Sequence, residues 1–221
     1  MCDGVTIPAA AKALVGNATA VGPAANGFLT LYPADAASRP LAASGNYKSG
    51  QTLNSPFTVG LSPTGQFKIY TVAQTDLVVD VLGYFSADAT DVNGTGLLFN
   101  PLTPSRLLDT RPGATGACFL PGAALTAGVE ASQAARNVCT IANTAQAIVG
   151  NVTTVLPPAN GFLTLWPSNA AMRPLAATSN YQSGRNFNRY FTVGLGTDGA
   201  FKMYPSQTID LVIDVSGYFA P

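Results

Sequence analysis

An all-β fold, two tandem antiparallel β-sandwiches of jelly-roll or immunoglobulin-like type, is what this sequence predicts, and three observations predict it. The stretch Leu14–Ala87 recurs without a gap at Ile148–Pro221, with roughly 43 of the 74 aligned positions identical, so the chain is a tandem duplication. Within each copy apolar and polar residues alternate with the two-residue period of strands, and Thr, Val, Phe and Tyr are frequent. Gly, Pro or Asn interrupts the pattern every several residues, as turns require. With 221 residues the chain has room for two modules of about 100 residues, each able to bury a core of its own.

Taken in order, the first copy predicts strands near Ala13–Val21, Gly27–Tyr32, Ala42–Tyr47, Phe57–Leu61, Phe67–Thr71 and Asp76–Phe85. The second copy repeats them. Between them, Pro23-Ala24-Ala25-Asn26-Gly27 and Pro157-Pro158-Ala159-Asn160-Gly161 place Asn-Gly where a left-handed backbone is expected. Ser62-Pro63-Thr64-Gly65 and Gly196-Thr197-Asp198-Gly199 end in glycine for the same reason, and all four read as hairpin turns.

The copies are unequal in one respect. Asn100–Arg136 precedes the second core and nothing equivalent precedes the first, so two cores share one head segment. The head contains a strand-like piece, Pro104 to Gly113, that ends in a Pro-Gly turn. If it gives a strand to its own core, the first core keeps an edge with unpaired N–H and C=O groups, and either a piece is missing upstream or another chain fills the gap. The expected domains are residues 1–88, the repeat without a head, and 104–221, the repeat with one. Residues 89–103, rich in Asp, Asn, Gly and Thr, read as a linker.

Eleven basic and eleven acidic residues cancel, and only 10% of the chain is charged. There is no basic stripe to neutralise phosphates, which argues against nucleic acid as a partner. A surface so poor in charge, with a net charge near zero, favours self-association. No apolar run of membrane-spanning length occurs, so membrane insertion by a helix is not expected. Met1-Cys2-Asp3 does not open a signal peptide, and the expectation is that any export signal has been removed.

A family resemblance rests on motifs in fixed order: Ser-Arg-Leu-Leu-Asp-Thr-Arg (105–111), Gly-Asn-Val-Thr (150–153), Gly-Phe-Leu-Thr-Leu-Trp-Pro (161–167), Arg-Pro-Leu-Ala (173–176), Asn-Tyr-Gln-Ser-Gly (180–184) and Asp-Leu-Val-Ile-Asp-Val-Ser-Gly-Tyr-Phe (210–219). Together they resemble a repeat module of secreted and cell-surface bacterial proteins, one that recurs in tandem arrays in actinobacteria and acidobacteria, sometimes beside cell-wall hydrolases. It covers nearly all of the second copy and the first without its head. The resemblance implies a non-catalytic, extracellular or cell-surface role and carries no catalytic residues or ligand.

Three cysteines give the clearest chemical signal. Cys118 lies in the head and Cys139 at the start of the second core, which makes them the natural disulfide and implies an oxidising compartment. Cys2 aligns with Cys139 across a three-residue insertion and is left over. Its expectations are an intermolecular bond to the cysteine of another head, a partner in an upstream repeat that has been removed, or a buried unpaired thiol.

The chain has no histidine, which excludes Ser-His-Asp and Cys-His catalysis, and no enzyme or cofactor is expected. Asp76 and Asp80, repeated as Asp210 and Asp214, lie four residues apart on a strand, about 13 Å, too far to act as one dyad. Asp80 and Asp214 sit in strongly apolar strands and need partners. Structural ion pairs are expected, with Arg39 and Arg173 in the copies or Arg106 and Arg111 in the head as candidates; a calcium ligand is the lesser alternative.

Among the aromatics, Tyr47/Tyr181, Tyr70/Tyr204 and Tyr84/Tyr218 recur and read mainly as core. Trp166, Tyr181 and Tyr190 are the candidates for a glycan-stacking platform. Asn17, Asn93 and Asn151 begin glycosylation sequons that read as incidental. The functional expectation is a structural or adhesive cell-surface protein whose partners are copies of itself, in a fibre or array. The alternative is a module that binds a polysaccharide or the cell wall.

Overall fold

The computed structural model describes residues 6–86 and 96–221. It divides into two compact units, Met1–Gly96 and Leu97–Pro221. Cys2 and the Asn93 sequon lie outside the described residues. The described residues contain no helix, and so none long and apolar enough to cross a membrane.

In unit 1 the strands are β1 (Ala11–Val21), β2 (Gly27–Pro33), β3 (Gly45–Tyr47), β4 (Leu53–Gly60), β5 (Phe67–Thr71) and β6 (Asp76–Ser86). They form two antiparallel three-stranded sheets, β4-β1-β6 and β3-β2-β5. Leu14, Ala18, Phe57 and Val59 of the first sheet meet Leu29, Leu31 and Tyr47 of the second in a sandwich core. The apolar alternation read from the sequence therefore points inward from both sheets.

The turns do something other than expected. β1 and β2 lie in different sheets, as do β4 and β5, so the turns at Pro23–Gly27 and Ser62–Gly65 are corners from sheet to sheet rather than hairpins. Turn chemistry marks where the chain reverses and carries no information on which strand it then pairs. Gly65 and Gly199 do take left-handed backbone, at φ +73° and +77°. Gly27 and Gly161 do not. A Cβ at either would stand 2.8 Å from the ring of Tyr47 or Tyr181, so these glycines serve close approach. Their Asn neighbours accept backbone hydrogen bonds, from Ser49 N–H to Asn26 Oδ1 and from Ser183 N–H to Asn160 Oδ1, both at 2.9 Å.

Unit 2 repeats this plan as β9 (Ala147–Val155), β10 (Gly161–Pro167), β11 (Ser179–Tyr181), β12 (Phe187–Gly194), β13 (Ala200–Pro205) and β14 (Asp210–Ala220). To these the head adds β7 (Leu98–Asp109) and β8 (Ala131–Ala134). The sheets are β12-β9-β14-β7 and β11-β10-β13-β8, so the head widens both, one strand each. The expected linker is thus too long: Leu98–Thr103 belongs to β7. Pro101 and Pro104 make this stretch read as loop, but β7 is an edge strand, where a missing N–H donor is tolerated. Pro56 on edge strand β4 hid the start of that strand in the same way.

Candidate interaction surface

In unit 2 the head seals one flank of the sandwich. β7 runs antiparallel to β14, with Leu108 opposite Ile213 and Arg106 opposite Asp214. The register shift between those pairs lets the adjacent Leu107 and Leu108 both be buried, which strict alternation would forbid. Both join the core with Leu163, Phe201, Met203, Leu211, Ile213 and Val215. On the facing sheet β8 covers β13. The Cys118–Cys139 disulfide, across a sequence separation of 21, ties the head to the start of the second core. Cys118 N–H bonds Arg106 C=O and Phe119 N–H bonds Leu107 C=O, both at 3.0 Å.

Each residue of the Arg-Leu-Leu-Asp-Thr-Arg motif has a task. Arg106 Nε donates to Asp214 Oδ1 at 3.0 Å, and its Nη1 lies 3.4 Å from Asp109 Oδ2. Arg111 grips Asp109 through Nη2–Oδ2 at 2.6 Å and Nε–Oδ1 at 2.9 Å. The hydrogen bond from the Arg111 side chain is the main cause that holds the Asp109 carboxyl below its ordinary pKa, against the opposing pull of burial. Thr110 Oγ1 donates to Asp210 Oδ1 at 3.0 Å and accepts from Leu211 N–H at 2.8 Å. The two aspartates of the apolar strand are therefore receptors for the head.

The candidate partners fall into two groups. Arg106 pairs with Asp214 and Arg111 with Asp109, whereas Arg173 stacks elsewhere, its guanidinium 4.2 Å from the Tyr204 ring centre. Arg39 makes the same stack on Tyr70, also at 4.2 Å. The sequence could not separate these roles, because Arg39 and Arg173 recur in both copies exactly as an ion-pair partner of Asp80 and Asp214 would.

The glycan platform is not assembled. Trp166 and Tyr181 are buried and only Tyr190 is exposed. Tyr181 instead accepts a hydrogen bond from Gln207 N–H, and Tyr47 accepts one from Ala73 N–H, anchoring equivalent corners. Burial pushes the Tyr181 hydroxyl pKa up. Among the described residues no group of three or more His, Cys, Asp or Glu is placed to hold a metal ion.

Among the described residues, unit 1 presents the same flank without a head strand beside it. Among the described residues β6 pairs with β1 alone and β5 with β2 alone. Leu77 is 36% exposed where its counterpart Leu211 is 0%, and Val78 is 49% exposed against 5% for Val212. Val72, Leu82 and Phe85 are exposed as well. Ile7 is 36% exposed where Ile141 is 2%. Yet Asp76, Leu77, Val78, Asp80, Val81, Gly83, Tyr84 and Phe85 are identical to their counterparts in β14. Gly217 is sterically required, since a Cβ there would lie 2.4 Å from the Phe99 ring of β7. At Gly83 a Cβ would meet only Val15, at 3.4 Å, an ordinary contact. β6 keeps glycine at this position, beside a register shift against β1 that β14 matches against β9.

No protein-family model matches the chain, and comparison with curated proteins finds no match. The internal repeat is accordingly the reference: unit 2 displays the flank with a head strand, and unit 1, among its described residues, displays the same flank without one.

Proposed function

We propose that this chain is a non-catalytic extracellular protein with a structural or adhesive role, which associates with copies of itself as a subunit of a surface fibre or array. The observation that carries this reading is the flank of unit 1, where Leu77, Val78, Leu82 and Phe85 line a strand edge that in unit 2 is sealed. A strand edge lined by apolar side chains is a template for another strand.

Three further features support it. The surface carries little charge to keep copies apart. The Cys118–Cys139 disulfide fits an oxidising, extracytoplasmic setting, as does the resemblance to secreted bacterial repeats. Leu41 and Leu175, at equivalent positions, are 94% and 86% exposed and give each unit an apolar knob. Burial of Trp166 and Tyr181 counts against the polysaccharide-binding alternative.

Sedimentation velocity and negative-stain imaging over a wide concentration range test the reading. Concentration-dependent oligomers are expected, and the double variant Val78→Lys, Leu82→Lys is expected to abolish them. A monomer at every concentration would overturn it.

A further inference from the structure

We propose that each unit carries a binding site for an acidic polysaccharide, in which Arg39 of unit 1 and Arg173 of unit 2 receive a sugar carboxylate. The site is separate from the Trp166 and Tyr181 platform, which burial dismantles, and it does not depend on self-association. In unit 1 the Arg39 guanidinium lies 4.2 Å from the Tyr70 ring centre and 6.0 Å from that of Phe28. In unit 2 Arg173 lies 4.2 Å from Tyr204 and 5.7 Å from Phe162. The loop that carries each arginine is pinned to its sheet. Thr30 and Thr164 hydroxyls donate to the carbonyls of Ala42 and Ala176 at 2.9 and 3.0 Å, and the Ser44 and Thr178 hydroxyls each accept a strand N–H at 2.9 Å.

Stacking holds the face of each guanidinium and leaves its edge available. Among the described residues the Arg39 side chain donates no hydrogen bond, Arg173 donates one long bond to the Pro174 carbonyl at 3.4 Å, and neither forms an ion pair, unlike Arg106 and Arg111. A half-buried guanidinium held in place with its N–H groups unspent is preorganised for a carboxylate, which its planar fork meets with two parallel hydrogen bonds. Beside it Leu41 and Leu175, both exposed, form an apolar ledge for the C–H side of a sugar ring. The run Arg-Pro-Leu-Ala-Ala is the same at 39–43 and 173–177, and core packing does not account for its exposed leucine.

Two observations favour a polysaccharide over an acidic peptide. A peptide strand takes its affinity from an open sheet edge, yet the site recurs in unit 2, where β8 pairs with β13 and leaves no edge there. Two equivalent sites on one chain also match a ligand whose charge repeats, because a second contact on the same polymer raises the overall affinity. The two sites should differ in strength. Lys68 projects from the same face of β5 as Tyr70, about 7 Å along the strand. It forms no ion pair among the described residues, whereas its counterpart Lys202 is held by Glu130 at 3.2 Å. Unit 1 therefore offers a polyanion two cations and unit 2 one.

The probe is polygalacturonate, compared with neutral dextran and poly-L-glutamate in affinity electrophoresis of the full chain, with sedimentation of the same sample. Retardation by polygalacturonate alone is expected, weakening as salt rises. Arg39→Gln should weaken binding roughly tenfold and Arg173→Gln roughly threefold, and the pair should abolish it. Leu41→Glu with Leu175→Glu, at positions too exposed to disturb folding, should also abolish it by repelling the carboxylates. Arg185→Gln removes an equal charge from an exposed position outside the site and should leave binding unchanged. Circular dichroism should be the same for all these variants. No retardation, equal binding of dextran or poly-L-glutamate, full binding by either double variant, or an equal loss in Arg185→Gln would each overturn the proposal. Oligomers without polygalacturonate binding would remove this proposal and leave self-association standing; binding by a chain that stays monomeric would do the reverse.

Discussion

Leu77 and Leu211 are the same residue at the same place in two copies of one fold, and truncating each to alanine measures the uncovered flank directly. Leu211 is fully buried, in one core cluster with Leu107 and Leu108 of the head, and Leu→Ala at such a site costs roughly 2–5 kcal/mol through lost transfer energy and a residual cavity. Leu77 is 36% exposed and stands outside the buried core cluster of unit 1. Without a strand to close over it, truncation leaves a dent that water fills, and the expected cost is about 1 kcal/mol. For units of this size each kcal/mol moves a melting point by roughly 3–6 °C. Leu211→Ala should therefore lower the melting of unit 2 by about 10 °C or more, and Leu77→Ala that of unit 1 by about 5 °C or less. Thermal unfolding followed by hydrogen exchange on peptides from each unit separates the two transitions. Equal losses at the two sites, or a larger loss at Leu77, would refute the claim that unit 1 lacks a cover.

Three further outcomes are expected. Asp109 titrates below its unfolded-state value, so its contribution to unit 2 is complete above about pH 4 and is lost as pH falls through its depressed folded pKa; melting of unit 2 against pH should show this acid loss, and Asp109→Asn should flatten it. Reduction of Cys118–Cys139 should destabilise unit 2 by roughly 3 kcal/mol, from the loop entropy it restores to the unfolded chain, and leave unit 1 unchanged in a denaturant titration with and without reductant. Leu156 holds a left-handed backbone, φ +42°, where the first copy has Gly22 at φ +54°; Leu156→Gly should raise the stability of unit 2 by up to about 1 kcal/mol in the same titration.

Much of this was legible in the sequence because strands announce themselves locally. The period-two runs at Phe67–Thr71 and Asp76–Ser86, and the division into two sandwich repeats, follow from alternation and duplication alone. Strand partners are a long-range property, and the corners at Pro23–Gly27 and Ser62–Gly65 show that a turn motif cannot report them. β8, Ala131-Ser-Gln-Ala, has neither β-branched residues nor aromatics and exists because β13 offers it an edge. At the candidate surface, the imbalance of one head for two cores was visible, and so was the disulfide. The assignment of Arg39 and Arg173 to aromatic rings was not, since pairing with a carboxylate and stacking on Tyr use the same residue type. Nor was the enclosure of Trp166, on a strand whose outward side the sequence pattern leaves bare.

Pro56 gives the sheet of unit 1 a direction. The β4 margin carries a residue that cannot donate a hydrogen bond, while the opposite margin, β6, has neither proline nor lysine to turn a newcomer away. A strand added to that sheet would be steered to one side. If copies assemble as proposed, such a rule would add members in a line with distinct leading and trailing ends and protect against the branching that two equally welcoming margins would allow.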